Sequence, residues 1–206
     1  MPVFIEAYKL SLTLAAFLPF SFFLAYGIMS IPAGAIIEKL GGKASLLIAF
    51  GLTFTGSSLF ALFPVYEVAL TSLFVIGLGM AMIQVVINPL MRVSGGEENF
   101  AFYSVLGQLV FGAASFVSPH VFTYLMRELP GYSGGGNLIV DILSRVTPED
   151  LPWSSLYWIF TVVFIVMLIF IRFIKLPRVE LAEDEKVEAV KVYRGLLKKR
   201  IVIMFF

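Results

Sequence analysis

Five apolar stretches, at residues 11–37, 44–63, 68–91, 100–126 and 153–176, are each about as long as a membrane-crossing helix. Roughly 20 apolar residues in helical form cross the ~30 Å hydrocarbon core of a bilayer, because every backbone polar group is then satisfied within the segment. None of the five carries an Asp or Glu in its interior, and basic residues sit at their ends. Hydrophobic residues make up 59% of the chain and charged ones 14%, against roughly 25% charged in a soluble domain. The expectation is an all-α, multi-pass membrane protein.

Lysine and arginine set the orientation. One side holds Lys39, Lys43, Arg92, Arg172, Lys175, Arg178, Lys186, Lys191, Arg194, Lys198, Lys199 and Arg200; the other holds Lys9, Arg127 and Arg145. The positive-inside rule assigns the first set to the cytoplasm and places residues 1–10 and 127–152 outside. An external N-terminus with no signal peptide points to a helix before residue 1. The closing run Ile201-Val202-Ile203-Met204-Phe205-Phe206 reads as the beginning of another span. The expected parent therefore has six spans, a charged cytoplasmic segment and further spans. The segment around 178–198, with Glu183-Asp184-Glu185-Lys186 among Val187, Val190, Leu196 and Leu197, reads as an amphipathic surface helix, joining two bundles or docking on anionic lipid.

Several chemistries are excluded. The chain has no Cys and one His, so disulfides, thiol catalysis and Cys-ligated metals are out and a metal site is not expected. No nucleophile–base pair or phosphate-binding loop is visible. No cofactor, enzymatic activity or nucleic-acid partner is expected; the charges are confined to loops between spans.

Two amides break the third run. Gln84 and Asn88 are four residues apart, hence on one helical face. Polar side chains in a membrane usually face the bundle interior or an aqueous cavity. An amide both donates and accepts, which suits a neutral polyol; interhelical glue is the plainer role. Pro32, Pro89 and Pro119 lie in or near the ends of spans, as packing kinks or as lining of a pathway. Gly77, Gly79, Gly107, Gly112, Ala113, Ala114 and Ser115 permit close helix approach. His120, near the outer end of its span, reads as structural or water-facing, with a proton relay as the alternative. In the outer loop, Gly131-Tyr132-Ser133-Gly134-Gly135-Gly136 reads as flexible. Thr147-Pro148-Glu149-Asp150 reads as an N-cap, a first-turn proline and acidic first-turn residues.

The loop Gly34-Ala35-Ile36-Ile37-Glu38-Lys39-Leu40-Gly41-Gly42-Lys43 resembles the G-x-L-x-D-R-x-G-R-K loop between helices two and three of the major facilitator superfamily. Gly34, Gly41 and Lys43 match; Glu38 and Lys39 conserve charge; Gly42 departs. The resemblance implies that residues 11–37 are the second helix of that fold. Gly77-Leu78-Gly79-Met80, Gln84-Val85-Val86-Ile87-Asn88-Pro89, Ser94-Gly95-Gly96-Glu97-Glu98, Gln108 and Thr147-Pro148-Glu149-Asp150-Leu151 follow in an order similar to the fucose–galactose–glucose:proton symporter family. That family's fourth helix carries G-x-E-T-x-x-N-P and its fifth A-Q-x-x-N-S. Asn88, Pro89 and Gln108 match; the family's glutamate is Gln84 here, and its fifth-helix asparagine is Phe111. Loss of that glutamate removes the acid implicated in proton coupling in the family.

The resemblance implies a major facilitator-type helix bundle, present as an incomplete N-terminal half. Residues 1–176 form five spans without the first helix, 177–200 a cytoplasmic linker and 201–206 the start of the second bundle. It implies alternating-access transport of a hexose or deoxyhexose (fucose, glucose or galactose) across a bacterial inner membrane, coupled to protons or sodium, or uniport. The fragment alone is not expected to transport. Gln84, Asn88 and Gln108 are the expected sugar contacts, and Gly34, Glu38, Lys39, Gly41 and Lys43 the conformational motif. The expected partners are the sugar, membrane lipid, and the first helix and C-terminal half of the same transporter. The alternatives are a drug or organic-acid transporter of the same fold and a non-transporting membrane subunit.

Overall fold

The computed structural model describes residues 2–132, 134–135 and 137–177. The linker helix expected around 178–198 and the span expected from 201 lie outside the described residues. Six α-helices follow in order: α1 (Pro2–Tyr8), α2 (Leu12–Leu62), α3 (Tyr66–Gly95), α4 (Phe100–Glu128), α5 (Leu138–Val146) and α6 (Ser155–Phe173). Short 3₁₀ turns at Glu97–Asn99 and Pro152–Ser154 precede α4 and α6. Four of these helices, α2, α3, α4 and α6, are long and apolar enough to cross a membrane.

Straight, the 51 residues of α2 would run about 76 Å at 1.5 Å per residue, more than twice the hydrocarbon core. They do not run straight. Gly41 sits at φ 79°, ψ 164°, a backbone region that a Cβ forbids and glycine alone enters cheaply. The chain folds back there, bringing Ile37 to Leu46, Ala33 near Ala49, and Leu18 to Phe60. These pairs recede on either side of residue 41, so 12–40 and 42–62 are two antiparallel arms. They correspond to the expected runs 11–37 and 44–63.

α3 packs on both arms, in three layers along its length. Ala69 joins Leu18, Phe60 and Trp153; Met82 joins Ala33 and Ala49; Val86 joins Ile37, Leu46 and Ile171 of α6. This stacking puts Gly41, the α3–α4 turn and the end of α6 at one end of the bundle. At the other end lie α1, the α2–α3 turn and the α4–α6 connection. The first end is the one that the basic-residue asymmetry of the sequence leads one to expect on the cytoplasmic side.

Small residues let backbones touch, as expected for Gly77 and Gly79. A Cβ on Gly77 would lie 2.5 Å from the Phe22 carbonyl oxygen, and one on Gly79 would lie 2.6 Å from that of Ala49. Gly56, not anticipated, is equally tight, 2.8 Å from the Ser72 oxygen. Gly112 has no neighbour within 4 Å, and Ala113, Ala114 and Ser115 are exposed. Hydrogen bonds tie the helices further: Ser21 donates to the Leu70 carbonyl (2.8 Å), Tyr66 to that of Leu14 (2.8 Å) and Thr161 to the Ser57 hydroxyl (3.1 Å).

One expectation for the outer loop fails. Thr147 is the C-cap of α5, not the N-cap of the last span; its N–H donates to the Leu143 carbonyl. Pro148 holds the preceding residue extended, and Leu151 N–H closes a turn on the Pro148 carbonyl at 3.0 Å. Pro152, four residues later, takes the first-turn position of the 3₁₀ turn that leads into α6. The loop also contains a helix that was not anticipated, α5, directly after the glycine-rich stretch 131–136. Gly131, Gly134 and Gly135 do take positive φ angles of 70°, 90° and 92°, but they only lead up to that helix.

Candidate functional site

α3 presents two faces. Its buried face, Ala69, Ser72, Gly77, Gly79, Ala81, Met82 and Val86, packs on α2. Its exposed face carries Met80, Gln84, Ile87 and Asn88, so both amides stand on one stripe as the four-residue spacing requires. Pro89 follows directly. Lacking an N–H, it leaves the Val85 carbonyl without a helical donor, an extra acceptor beside the amide stripe.

Gln84 is not isolated. The Tyr26 hydroxyl on the first arm of α2 donates to Gln84 Oε1, which leaves the two N–H bonds of the amide free to donate elsewhere. Tyr26 is a residue that sequence reasoning missed. The available signal was weak: one phenol in an otherwise apolar run, whose depth relative to Gln84 follows only from how two parallel helices align. Its ring lies 6.3 Å from that of Phe22.

Gln108 stands on α4 and is exposed. α4 approaches α3 at the cytoplasmic end, where Tyr103 lies over Gly95 and Gly107 faces Met91. It approaches the outer cluster through Phe122 and Met126. Between these points α4 is open, and Leu125 is its one buried residue among those described. No hydrogen bond links Gln108 to Gln84 or Asn88 among the described residues. His120 is exposed on the same helix, with Phe116 edge-on at 5.2 Å.

The motif loop resolves into distinct roles. Gly41 makes the hairpin turn. A Cβ on Gly34 or Gly41 would meet nothing within 4 Å, so close helix approach is not what these two positions require. Lys43 Nζ donates to the carbonyls of Arg172 (3.1 Å) and Ile174 (2.8 Å) at the end of α6. A helix C-terminus offers unpaired carbonyls and a partial negative charge, so this ammonium clamps the second arm of α2 to α6. Glu38 and Lys39 are exposed and form no ion pair among the described residues. Arg92 lies over the Phe100 ring at 5.2 Å, a cation–π contact at the turn between α3 and α4.

A hairpin turned at a glycine in a short charged loop and packed with further membrane-length helices is the framework of a polytopic helical membrane bundle. The profile of the Major Facilitator Superfamily matches residues 1–206, and the chain belongs to that superfamily. It is an integral, multi-pass membrane protein. Over 156 residues it is 29% identical to the L-fucose-proton symporter of Escherichia coli (strain K12), a match covering 73% of this chain and 34% of that protein. Over 117 residues it is 30% identical to a glucose/galactose transporter of Brucella abortus biovar 1 (strain 9-941), covering 55% of this chain and 28% of that protein. The crystal structure of the E. coli fucose:proton symporter superposes with a TM-score of 0.66 at 23% identity, covering 97% of this chain and 51% of that one. That likeness establishes the fold. The chain spans less than half the length of the curated relatives it matches.

Proposed function

We propose that this chain forms the greater part of the N-terminal half of a sugar transporter, residues 1–176 contributing the bundle, 177–200 a cytoplasmic linker and 201–206 the entry to a second bundle. The complete protein carries a hexose or deoxyhexose across a bacterial inner membrane by rocking two halves about a site near the midplane. The observation that carries this reading is the amide stripe of α3: Gln84, held by Tyr26, in line with Asn88 on the exposed face. Its polar groups are uncharged, so they suit hydroxyls rather than a carboxylate or an amine. Its similarity to fucose and glucose/galactose transporters supports the same substrate class. Gln108 completes the site from α4.

The open flank of α4 fits a further helix. The 29 residues of α4 are largely apolar, and its small residues Gly107, Gly112, Ala113, Ala114 and Ser115 permit close packing. The first helix of the complete half takes that place and brings Gln108 and Gln84 to one cavity. Gln84 does not titrate, so coupling to protons uses an acid elsewhere, and sodium coupling or uniport needs none.

Uptake of labelled L-fucose, D-glucose and D-galactose into vesicles bearing the complete transporter tests this, under an imposed proton gradient with and without sodium. Gln84→Ala and Asn88→Ala are expected to lower sugar affinity by about five- to tenfold each, the loss of about one well-placed hydrogen bond. Movement of some other solute and of no sugar overturns the substrate assignment. Gln84→Glu is expected to make uptake more steeply pH-dependent, since a desolvated carboxyl titrates at raised pH.

A further inference from the structure

The short helix α5 in the outer connection has a surface that transport does not explain. Asn137 caps it, its side-chain oxygen accepting from Ile139 N–H at 3.0 Å, and Arg145 pairs with Asp141 at 2.9 Å one turn apart. Each residue advances about 100° around a helix of 3.6 residues per turn, which divides its nine residues into three sectors. Val140 and Leu143 are buried against Leu125 and Leu129, with Trp158 and Ile159 of α6 packed on the same cluster. Asp141, Ser144 and Arg145 fill a polar sector. The remaining sector is wholly aliphatic and bare: Leu138 is 72% exposed, Ile139 60%, Ile142 54% and Val146 42%.

We propose that α5 is an interfacial helix whose bare stripe is immersed in the outer leaflet, with lipid acyl chains as its partner. Depth is the first argument. α6 has 19 residues, about 28 Å at 1.5 Å per residue and close to the ~30 Å hydrocarbon thickness. Its first turns therefore mark the membrane boundary, and α5 packs beside them, on Leu156, Trp158 and Ile159. Trp158 is itself a residue type concentrated at that level.

Sector order is the second argument. The bare stripe adjoins the buried sector, and together they oppose the polar one. When Asp141, Ser144 and Arg145 face water, the apolar arc points down, partly onto α4 and α6 and partly into the lipid around them. This is the disposition of a helix lying in the interface plane.

Chemistry is the third. The stripe is Leu, Ile, Ile and Val, without the Tyr, Trp or Arg that anchor protein interfaces. Four such side chains also fall far short of the roughly 1,000 Å² that a specific protein contact buries.

The chain has no native Cys, so single labels report one site each. Ile142→Cys and Val146→Cys (stripe) and Ser144→Cys (polar sector) are labelled with the fluorophore NBD in the full chain, in phosphatidylethanolamine–phosphatidylglycerol nanodiscs. The expected result is blue-shifted emission and several-fold stronger quenching by shallow nitroxide lipids at 142 and 146 than at 144. Aqueous iodide should quench in the reverse order. Equal iodide quenching at all three sites would place the stripe in water and overturn the proposal. Protection of 142 and 146 from both quenchers would show that protein covers the stripe, and would overturn it too. Neither readout requires sugar to bind, so the result is independent of the substrate assignment.

Discussion

α3 and α4 are nearly the same helix on paper and opposite in the fold. They have 30 and 29 residues, each carries one internal proline, one basic residue in its last turn and at least two internal glycines. Yet α3 buries Gly77, Gly79, Met82 and Val86 between the arms of α2, while α4 buries Leu125 alone among its described residues. The difference lies in where small residues meet a neighbour. Gly77 and Gly79 of α3 face backbone carbonyls at distances that admit no side chain; Gly112 of α4 faces open space. Apolarity puts a helix into the membrane, and steric complementarity to a particular neighbour holds it in a bundle.

The sharpest way to break this contrast is to fill the glycines. Gly79→Ala places a Cβ 2.6 Å from the Ala49 carbonyl and 2.7 Å from Thr53 Cγ2, and overpacking of that kind costs about 1–3 kcal/mol or more. Gly112→Ala meets no atom and is expected to be neutral, or to stabilise by up to about 1 kcal/mol through helix propensity. Detergent-induced unfolding of the two variants, followed by tryptophan fluorescence, measures both. Equal midpoints would show that α3 is not held by close backbone contact.

A smaller loss is expected at the cytoplasmic end. Lys43→Gln removes the charge from two α6 carbonyls, and a partly exposed charged hydrogen-bonding group of this kind contributes about 1 kcal/mol. Lys43→Arg should restore most of it. If Gln and Arg unfold alike, the clamp on α6 is not holding the arms together.

Smaller again, Tyr26→Phe deletes one interhelical hydrogen bond, worth about 0.6 kcal/mol in a membrane bundle. Gln108→Ala deletes none and should leave the midpoint unchanged. For the complete transporter, the proposed function leads us to expect the reverse order in sugar uptake: Gln108→Ala should weaken sugar binding, and Tyr26→Phe should raise KM to a smaller extent by freeing the Gln84 amide to rotate.

The finest probe is pH at the outer end. Tyr8 donates to the Pro64 carbonyl at 2.6 Å. Burial, with the neighbouring Tyr157 and Asp150 adding, pushes its pKa up to about 12 from 10.0. A raised folded-state pKa means that the neutral phenol is favoured by folding. Its stabilisation is complete below pH 10 and fades as pH rises toward 12. Tyr8→Phe should flatten the part of the alkaline stability loss that tracks phenolate absorbance. An unchanged alkaline profile would mean that α1 is not docked through this contact.

Much of this was legible in order along the chain. Length and apolarity determine which segments become spans, because insertion into a bilayer is a local matter between a segment and its solvent. The amide stripe of α3 follows from a four-residue spacing, and Gly41 was marked by its motif. Tertiary structure decided the rest. Tyr26 meets Gln84, and Lys43 meets α6, across 58 and 129 residues of sequence, distances at which no local pattern operates. Thr147 carries the residues of a helix start and serves as a helix end, since Pro152 lay near enough to take that role. The close contacts at Gly56, Gly77 and Gly79, and the openness of α4, are properties of pairs of surfaces. A single chain's composition describes each surface but not which of them come together.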